Sequence, residues 1–217
     1  MPQLPRSAVY IDGLNLYKRV LAGRPNKWLD LEGYFTCLRP LERVVRIRYF
    51  TSLVVADGTG GRARQGTYLG ALRAHSSPRL RIHHGKHKKR SVRCQVAECQ
   101  YAGDRRFGTW VEKFTDVALA VWLTEEAFRD EFDVAVIVSG DTDLCPALER
   151  LRANHHNKRV VLYVPTHQSP KRSSLALRKL ADESWNLPLG KLHSHQLPMS
   201  VPRRDGTAVY TRPHEWA

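Results

Sequence analysis

Asp141 and Asp143 stand two positions apart in Val138-Ser-Gly-Asp-Thr-Asp-Leu144. Two carboxylates on one turn can face the same point in space. At about 4 Å they repel by about 4 kcal/mol at an effective dielectric of about 20. A hard cation such as Mg²⁺ removes that repulsion and takes oxygen ligands. An isolated Asp-Thr-Asp needs only to cap a helix, but two further acids occur in comparable settings. Asp12 ends the apolar run Ala8-Val9-Tyr10-Ile11 and is followed by Gly13-Leu14-Asn15. Asp116 lies in Glu112-Lys-Phe-Thr-Asp-Val-Ala-Leu-Ala120, near the edge of an apolar helical face. Asn15 can hold a carboxylate or a water, or simply cap its helix. Lys113 can meet a phosphate or pair with Glu112 or Asp116.

The flanking residues say which elements position these groups. Val134 to Val138 is short, apolar and β-branched, as expected of a strand buried on both faces. Leu144, Ala147, Leu148 and Leu151 then recur at helical spacing, with Thr142 or Asp143 as the cap and Pro146 in the first turn. Residues 8–12 form the first strand, and 14–22 its helix. If the two strands are neighbours in a parallel sheet, Asp12, Asp141 and Asp143 share the crevice at the carboxyl ends of the strands, where open α/β sheets bind ligands. Apolar positions 111, 114, 118, 121 and 122 predict a helix over 109–128 that brings Asp116 to the same sheet.

The remaining chain alternates in the same way: a short helix in 28–38, a strand over 43–52, a helix over 62–75, a strand around Leu80 and Ile82, a strand over 159–164 and a last helix near 172–182. Such alternation predicts a parallel sheet with helices on both faces. The glycine cluster at 58–61 lacks the Gly-Lys-Ser/Thr ending of a phosphate loop and reads as a turn.

Charge is the strongest compositional signal. The chain has 217 residues, 35 Lys+Arg against 21 Asp+Glu and a net charge of +14, which points to a polyanionic partner, nucleic acid before an anionic membrane surface. Residues 79–93 hold seven Lys/Arg, including Lys86, Lys88, Lys89, Arg90 and Arg93, three histidines and no acid. Lys171 and Arg172 add a second basic stretch, in a loop expected to overhang the crevice. Tyr101, Phe107 and Trp110 can stack on bases. Residues 83–108 form a basic insertion like a β-hairpin, on which Cys94 and Cys99 read as free thiols before zinc ligands. No apolar run approaches the ~20 residues of a membrane span and no secretory signal is visible, so a cytoplasmic protein with reduced thiols is expected. One domain is expected over 1–185, with a basic, Pro-containing tail over 186–217 that is either loosely ordered or a strap across the domain.

The three motifs Tyr10-Ile-Asp-Gly-Leu-Asn-Leu16, Glu112-Lys-x-Thr-Asp-Val-Ala-Leu-Ala120 and Val138-Ser-Gly-Asp-Thr-Asp-Leu144, in that order, resemble the NYN domain, a PIN-like, LabA-related group of ribonucleases. The resemblance covers about residues 7–182. It implies a PIN-like three-layer α/β/α sandwich with a central, mostly parallel sheet in the order 3-2-1-4-5. It implies a Mg²⁺ or Mn²⁺ site on Asp12, Asp116, Asp141 and Asp143, with Asn15 and Ser139 or Thr142 assisting. By the same resemblance the activity is hydrolysis of RNA to a 5′-phosphate and a 3′-hydroxyl, and a homodimer is one possible assembly. The alternative is a non-catalytic RNA-binding or regulatory protein that keeps the fold. A haloacid-dehalogenase-type phosphatase needs an acid where Leu14 stands, and a Toprim-type nuclease has Glu where Asp12 stands.

Overall fold

The computed structural model describes residues 3–55, 58–168 and 174–216. Six strands form one parallel sheet: β1 (Arg6–Asp12), β2 (Arg43–Thr51), β3 (Leu80–His84), β6 (Val134–Val138), β7 (Arg159–Val164) and β8 (Glu183–Asn186). Their spatial order is β3-β2-β1-β6-β7-β8. Between β3 and β6 the chain makes a separate antiparallel ribbon, β4 (Lys86–Arg93) with β5 (Arg106–Lys113).

Alternation along the central strands sorts their side chains into two apolar clusters. Val9, Ile11, Val136 and Val138 point to one face, with Trp28, Tyr34, Phe35 and Tyr68. Ala8, Tyr10, Ala135 and Ile137 point to the other, with Leu119, Leu123, Leu148 and Leu151. The first face is covered by α1 (Gly13–Leu16), its π-helical continuation Tyr17–Leu21, α2 (Leu31–Leu38) and α3 (Gly61–His75). The second is covered by α4 (Thr115–Phe128), α5 (Cys145–Asn154) and α6 (Leu175–Lys179). Three layers result, as expected for the predicted sandwich.

Two expectations change, and a third is decided between its alternatives. A sixth strand, β8, extends the predicted order at the edge beside β7, pairing Val161 with Glu183 and Val164 with Asn186. Its sequence, Glu-Ser-Trp-Asn, lacks the β-branched signature of a strand and pairs along one side only. The predicted helix over 109–128 begins only at Thr115, because residues 106–113 are claimed by ladder bonds to β4. Its buried face is Thr115, Leu119, Leu123, Glu126 and Ala127, whereas Phe114 and Val121 are exposed. Finally, the C-terminal stretch is a strap on the first face. Trp28 Nε1 donates to the Pro198 carbonyl (2.8 Å), Tyr34 Oη donates to that of Pro188 (3.0 Å), and Leu187, Leu197 and Trp216 are buried. Two short strands, β9 (Ser200–Pro202) and β10 (Val209–Thr211), pair within it.

Among the described residues no helix is long and apolar enough to cross a membrane.

Candidate active site

Register places two acids side by side. β1 and β6 are adjacent and parallel, with Ile11 opposite Val138, so Asp12 and the Ser139-Gly140-Asp141 turn leave the same edge of the sheet. A hydrogen-bond lattice joins them. Asp12 is 4% exposed; its Oδ1 accepts from Asn15 N (2.9 Å) and its Oδ2 from Ser139 Oγ (2.9 Å). Ser139 Oγ in turn accepts from Asp141 N (3.0 Å), and Asp141 Oδ1 accepts from Asp143 N (3.0 Å). Asn15 Oδ1 accepts from Gly140 N (3.1 Å), and Ser174 Oγ donates to the Gly140 carbonyl (2.6 Å). A side chain at Gly140 would meet Ser174 Oγ at 2.9 Å and Val164 at 3.3 Å, so this crossing of chains tolerates only glycine without a shift.

These bonds correct two assignments. Asn15 spends its carbonyl oxygen latching the β6 turn to α1, and Asp12, not Asn15, caps α1. Asp141 caps the following 3-10 turn (Thr142–Leu144), in place of the predicted Thr142 or Asp143. Thr142 and Asp143 are exposed on that turn. Pro146 falls in the first turn of α5 as expected.

Asp116 arrives from α4, in its first turn. Burial raises its pKa to about 6, and the charges of Asp12, Asp141, Glu112 and Asp143 push in the same direction. Burial also raises the Asp12 carboxyl, against its hydrogen bonds from Asn15 and Ser139, with Asp141 and Glu112 adding to the rise. The four acids therefore share one electrostatic neighbourhood. Among the described residues none of the four pairs with lysine or arginine.

Glu112 is the member that sequence reasoning passed over. It lies at the base of β5, where Oε1 accepts from Ser52 Oγ (2.9 Å) and Oε2 from Thr115 Oγ1 (2.6 Å). The clasp joins the ends of β2 and β5 to the start of α4. A Cβ at Gly85 would lie 2.3 Å from Ser52 Oγ and 2.5 Å from Glu112 Oε1, so the clasp needs glycine there. The signal was present in the Glu112-x-x-Thr115 spacing, which places an acid three residues before a hydroxyl. Beside it Phe114 has φ of 86°, a left-handed conformation costing about 1–3 kcal/mol in a non-glycine residue. Ser174, against the other side of the turn, has φ of 54°.

The donor set suits a hard divalent cation: carboxylate oxygens with no lysine or arginine partner among the described residues, those of Asp12 and Asp116 in surroundings that resist ionisation. As the side chains stand, no three acids, histidines or cysteines among the described residues are gathered closely enough to cage an ion, so binding requires rotation of side chains such as those of Asp116 and Asp143. Of the predicted nucleic-acid contacts, Lys86, Lys88, Lys89, Arg90 and Arg93 are exposed on β4 and Lys113 is exposed at the end of β5, while Lys171 and Arg172 lie outside the described residues. Cys94 and Cys99 are free thiols in the loop joining β4 to β5.

Comparison with known proteins identifies the family and the fold. The NYN domain model matches residues 6–187. The chain belongs to the NYN domain family. That family is nuclease-like, and the expectation from the three motifs is met. A relative, the 6-hydroxy-3-succinoylpyridine 3-monooxygenase HspA of Pseudomonas putida, is 30% identical over 97% of this chain and 75% of its own length. The crystal structure of a protein of unknown function, VPA0982 from Vibrio parahaemolyticus, superposes with a TM-score of 0.52 at 19% identity, covering 86% of this chain and 95% of that one, and attests the fold.

Proposed function

We propose that this NYN chain is a metal-dependent ribonuclease. The observation that carries the reading is the meeting of Asp12, Asp116, Asp141 and Asp143 in one neighbourhood with no cation among the described residues to balance them. Acids facing a phosphodiester repel it unless a divalent ion intervenes, which makes the arrangement poor for binding alone. Asp12, Asp116, Asp141 and Asp143 would hold Mg²⁺ or Mn²⁺, directly or through water. The bound ion supplies positive charge against the phosphate and acidifies water.

The chain's own residues do the rest. Ser139 and the Asn15 backbone fix the Asp12 carboxylate, and Asp141 is fixed by its own turn. Asp116, with the most elevated pKa of the set to carry a value, orients the attacking water and takes its proton. The new bond joins the water oxygen to phosphorus, the bond to the 3′-oxygen breaks, and that oxygen leaves with a proton as a 3′-hydroxyl. The exposed lysines and arginines of β4 hold the strand.

Cleavage of end-labelled RNA in Mn²⁺ and in EDTA tests this. Products that appear in Mn²⁺, vanish in EDTA and vanish with Asp141→Asn support it. RNA that is bound but uncut by the pure protein in Mn²⁺ would mean the binding-only alternative. A second reading comes from the 30% identity to the monooxygenase. The substrate in that protein's name carries a succinoyl carboxylate, which the acids would repel as they would a phosphate unless a cation intervenes, and its monooxygenation needs O₂ and a two-electron reductant. Oxygen uptake with that pyridine and a reductant such as NADH, in the same preparations, separates the two readings.

A further inference from the structure

Only one face of the β4–β5 ribbon runs into the acid crevice. Paired residues share a face, and faces alternate along each strand. Glu112, opposite His87, therefore lies on the same face as Trp110 opposite Lys89, Gly108 opposite Ser91, and Arg106 opposite Arg93. From this face the Glu112 carboxylate reaches Ser52 and Thr115, at the start of the helix that carries Asp116. Trp110 stands two residues out from Glu112, about 6.8 Å at 3.4 Å per residue, a spacing close to one nucleotide of an extended strand. On the opposite face the exposed aromatic is Phe107, six residues from Lys113 and so about 20 Å from the base.

The surroundings of Trp110 are those of a seat. It is 51% exposed, and among the described residues no ring or cation stacks on its indole. Beyond it Ser91 and Gly108, the smallest pair of the face, leave a notch between the indole and Arg93 with Arg106. Lys89 lies along this notch, since a Cβ at Gly108 would stand 2.8 Å from its Cε. Lys89, Arg93 and Arg106 are exposed, and among the described residues none pairs with a carboxylate. Arg93 and Arg106 are directly opposite each other, and like charges so placed repel unless an anion lies between them. Ser91 is exposed, and its hydroxyl bonds nothing among the described residues.

A base can lie on an aromatic ring only when it has left its own helix, so the seat takes a single strand and not a duplex. We infer that this notch holds one nucleotide of single-stranded RNA, with its base stacked on Trp110, its phosphates against Lys89, Arg93 and Arg106, and its 2′-hydroxyl against Ser91. Trp110 is then a positioning residue, which sets the next phosphodiester of the strand in the acid crevice. The inference rests on the ribonuclease reading for its substrate and does not depend on hydrolysis.

The test is binding of a short labelled oligouridine by the full chain in EDTA, read by fluorescence anisotropy, so that cleavage plays no part. Trp110→Ala should weaken binding about tenfold, and Trp110→Phe should restore most of it. Binding should quench indole emission in the parent and not in Trp110→Phe. An abasic oligoribonucleotide should bind the parent about tenfold more weakly than oligouridine and be indifferent to Trp110→Ala, a result that a merely structural role for Trp110 would not give. Oligodeoxyuridine, which lacks the 2′-hydroxyl, should bind more weakly than oligouridine, and Ser91→Ala should narrow that difference. Combining Lys89→Gln with Arg106→Gln should lower the slope of log affinity against log salt by about 1.4. The inference is overturned if Phe107→Ala costs as much as Trp110→Ala, if the abasic strand or the deoxy strand binds as tightly as oligouridine, or if the parent binds no oligouridine. Binding that follows the expected pattern without cleavage in Mn²⁺ would remove the hydrolytic reading and leave the seat standing. Cleavage in Mn²⁺ with affinity indifferent to Trp110 would do the reverse.

Discussion

Two of the acids on helix α4 lie about 15 Å apart at 1.5 Å per residue, Asp116 in its first turn and Glu126 near its end, and their surroundings are opposite. Glu126 is 1% exposed yet fully answered. Arg46 approaches it at 3.0 Å, the Arg48 guanidinium pairs with it, and Tyr10 Oη donates to it at 2.6 Å. Arg48 in turn lies 3.6 Å over the Trp122 ring and contacts His83 at 2.9 Å. This cluster borders an open depression of about 450 Å³ beside β3. Asp116 pairs with no lysine or arginine among the described residues, and the charges of Asp12, Asp141, Glu112 and Asp143 press on it. A buried charge that is paired holds the sheet to its helix. A cluster left unpaired is costly and calls for a ligand to offset it. On the proposed reading the depression is the structural region and the acid crevice the chemical one.

The largest expected effect falls at the crevice. Asp141→Asn should lower RNA cleavage by about 10³-fold, with melting temperature and RNA affinity held or raised, because the change removes one repelling charge. The mirror experiment is Glu126→Ala, which strands Arg46, Arg48 and Tyr10. It should destabilise the fold by about 3–5 kcal/mol in chemical denaturation and leave the rate per folded molecule unchanged. If the two variants exchanged phenotypes, the comparison would be broken.

A smaller effect separates the regions by pH. The Asp116 pKa is raised from 3.8 to about 6, so its contribution to stability is full below pH 4 and is lost as pH rises to 6. His83 is lowered from 6.5 to about 4 by burial and by Arg48, so its contribution is full above pH 6.5 and is lost as pH falls to 4. The two oppose each other over the same window. In metal-free protein, Asp116→Asn should steepen the fall in melting temperature from pH 6.5 to 4, and His83→Gln should flatten it. The smallest effect is expected at the clasp. Glu112→Gln keeps an oxygen that accepts from one hydroxyl and offers its amide N–H to the other, which can turn to accept it, so a loss of cleavage of about tenfold with an unaltered melting temperature would mark its charge, and not its bonds, as the working feature.

Much of this was legible in the residues. The apolar runs 8–11 and 134–138 gave two central strands, and the acids at their ends gave the crevice, because strand burial and strand-end position leave local marks. The hairpin did not read as far as residue 113, since Val111 and Phe114 also satisfy helical spacing and only pairing with β4 decides between the two. Strand β8 was hidden by its polar composition. For Glu112 only the spacing to Thr115 is a local mark. Its contact with Ser52, and the closeness of Gly85 to both, arise between distant elements and leave no local pattern. The aromatic residues of the C-terminal stretch hinted at packing, but its bonds to Trp28 and Tyr34 required the folded chain.

The most direct test of the central claim is a Mn²⁺ titration followed by electron paramagnetic resonance, with parent protein, Asp12→Asn, Asp116→Asn and Asp141→Asn compared at pH 5 and pH 7. The account predicts that the parent removes free Mn²⁺ signal, more tightly at pH 7 than at pH 5 because Asp116 must ionise, and that each variant weakens binding. Parent protein that leaves the free signal untouched at pH 7, or three variants that bind as it does, would contradict the account.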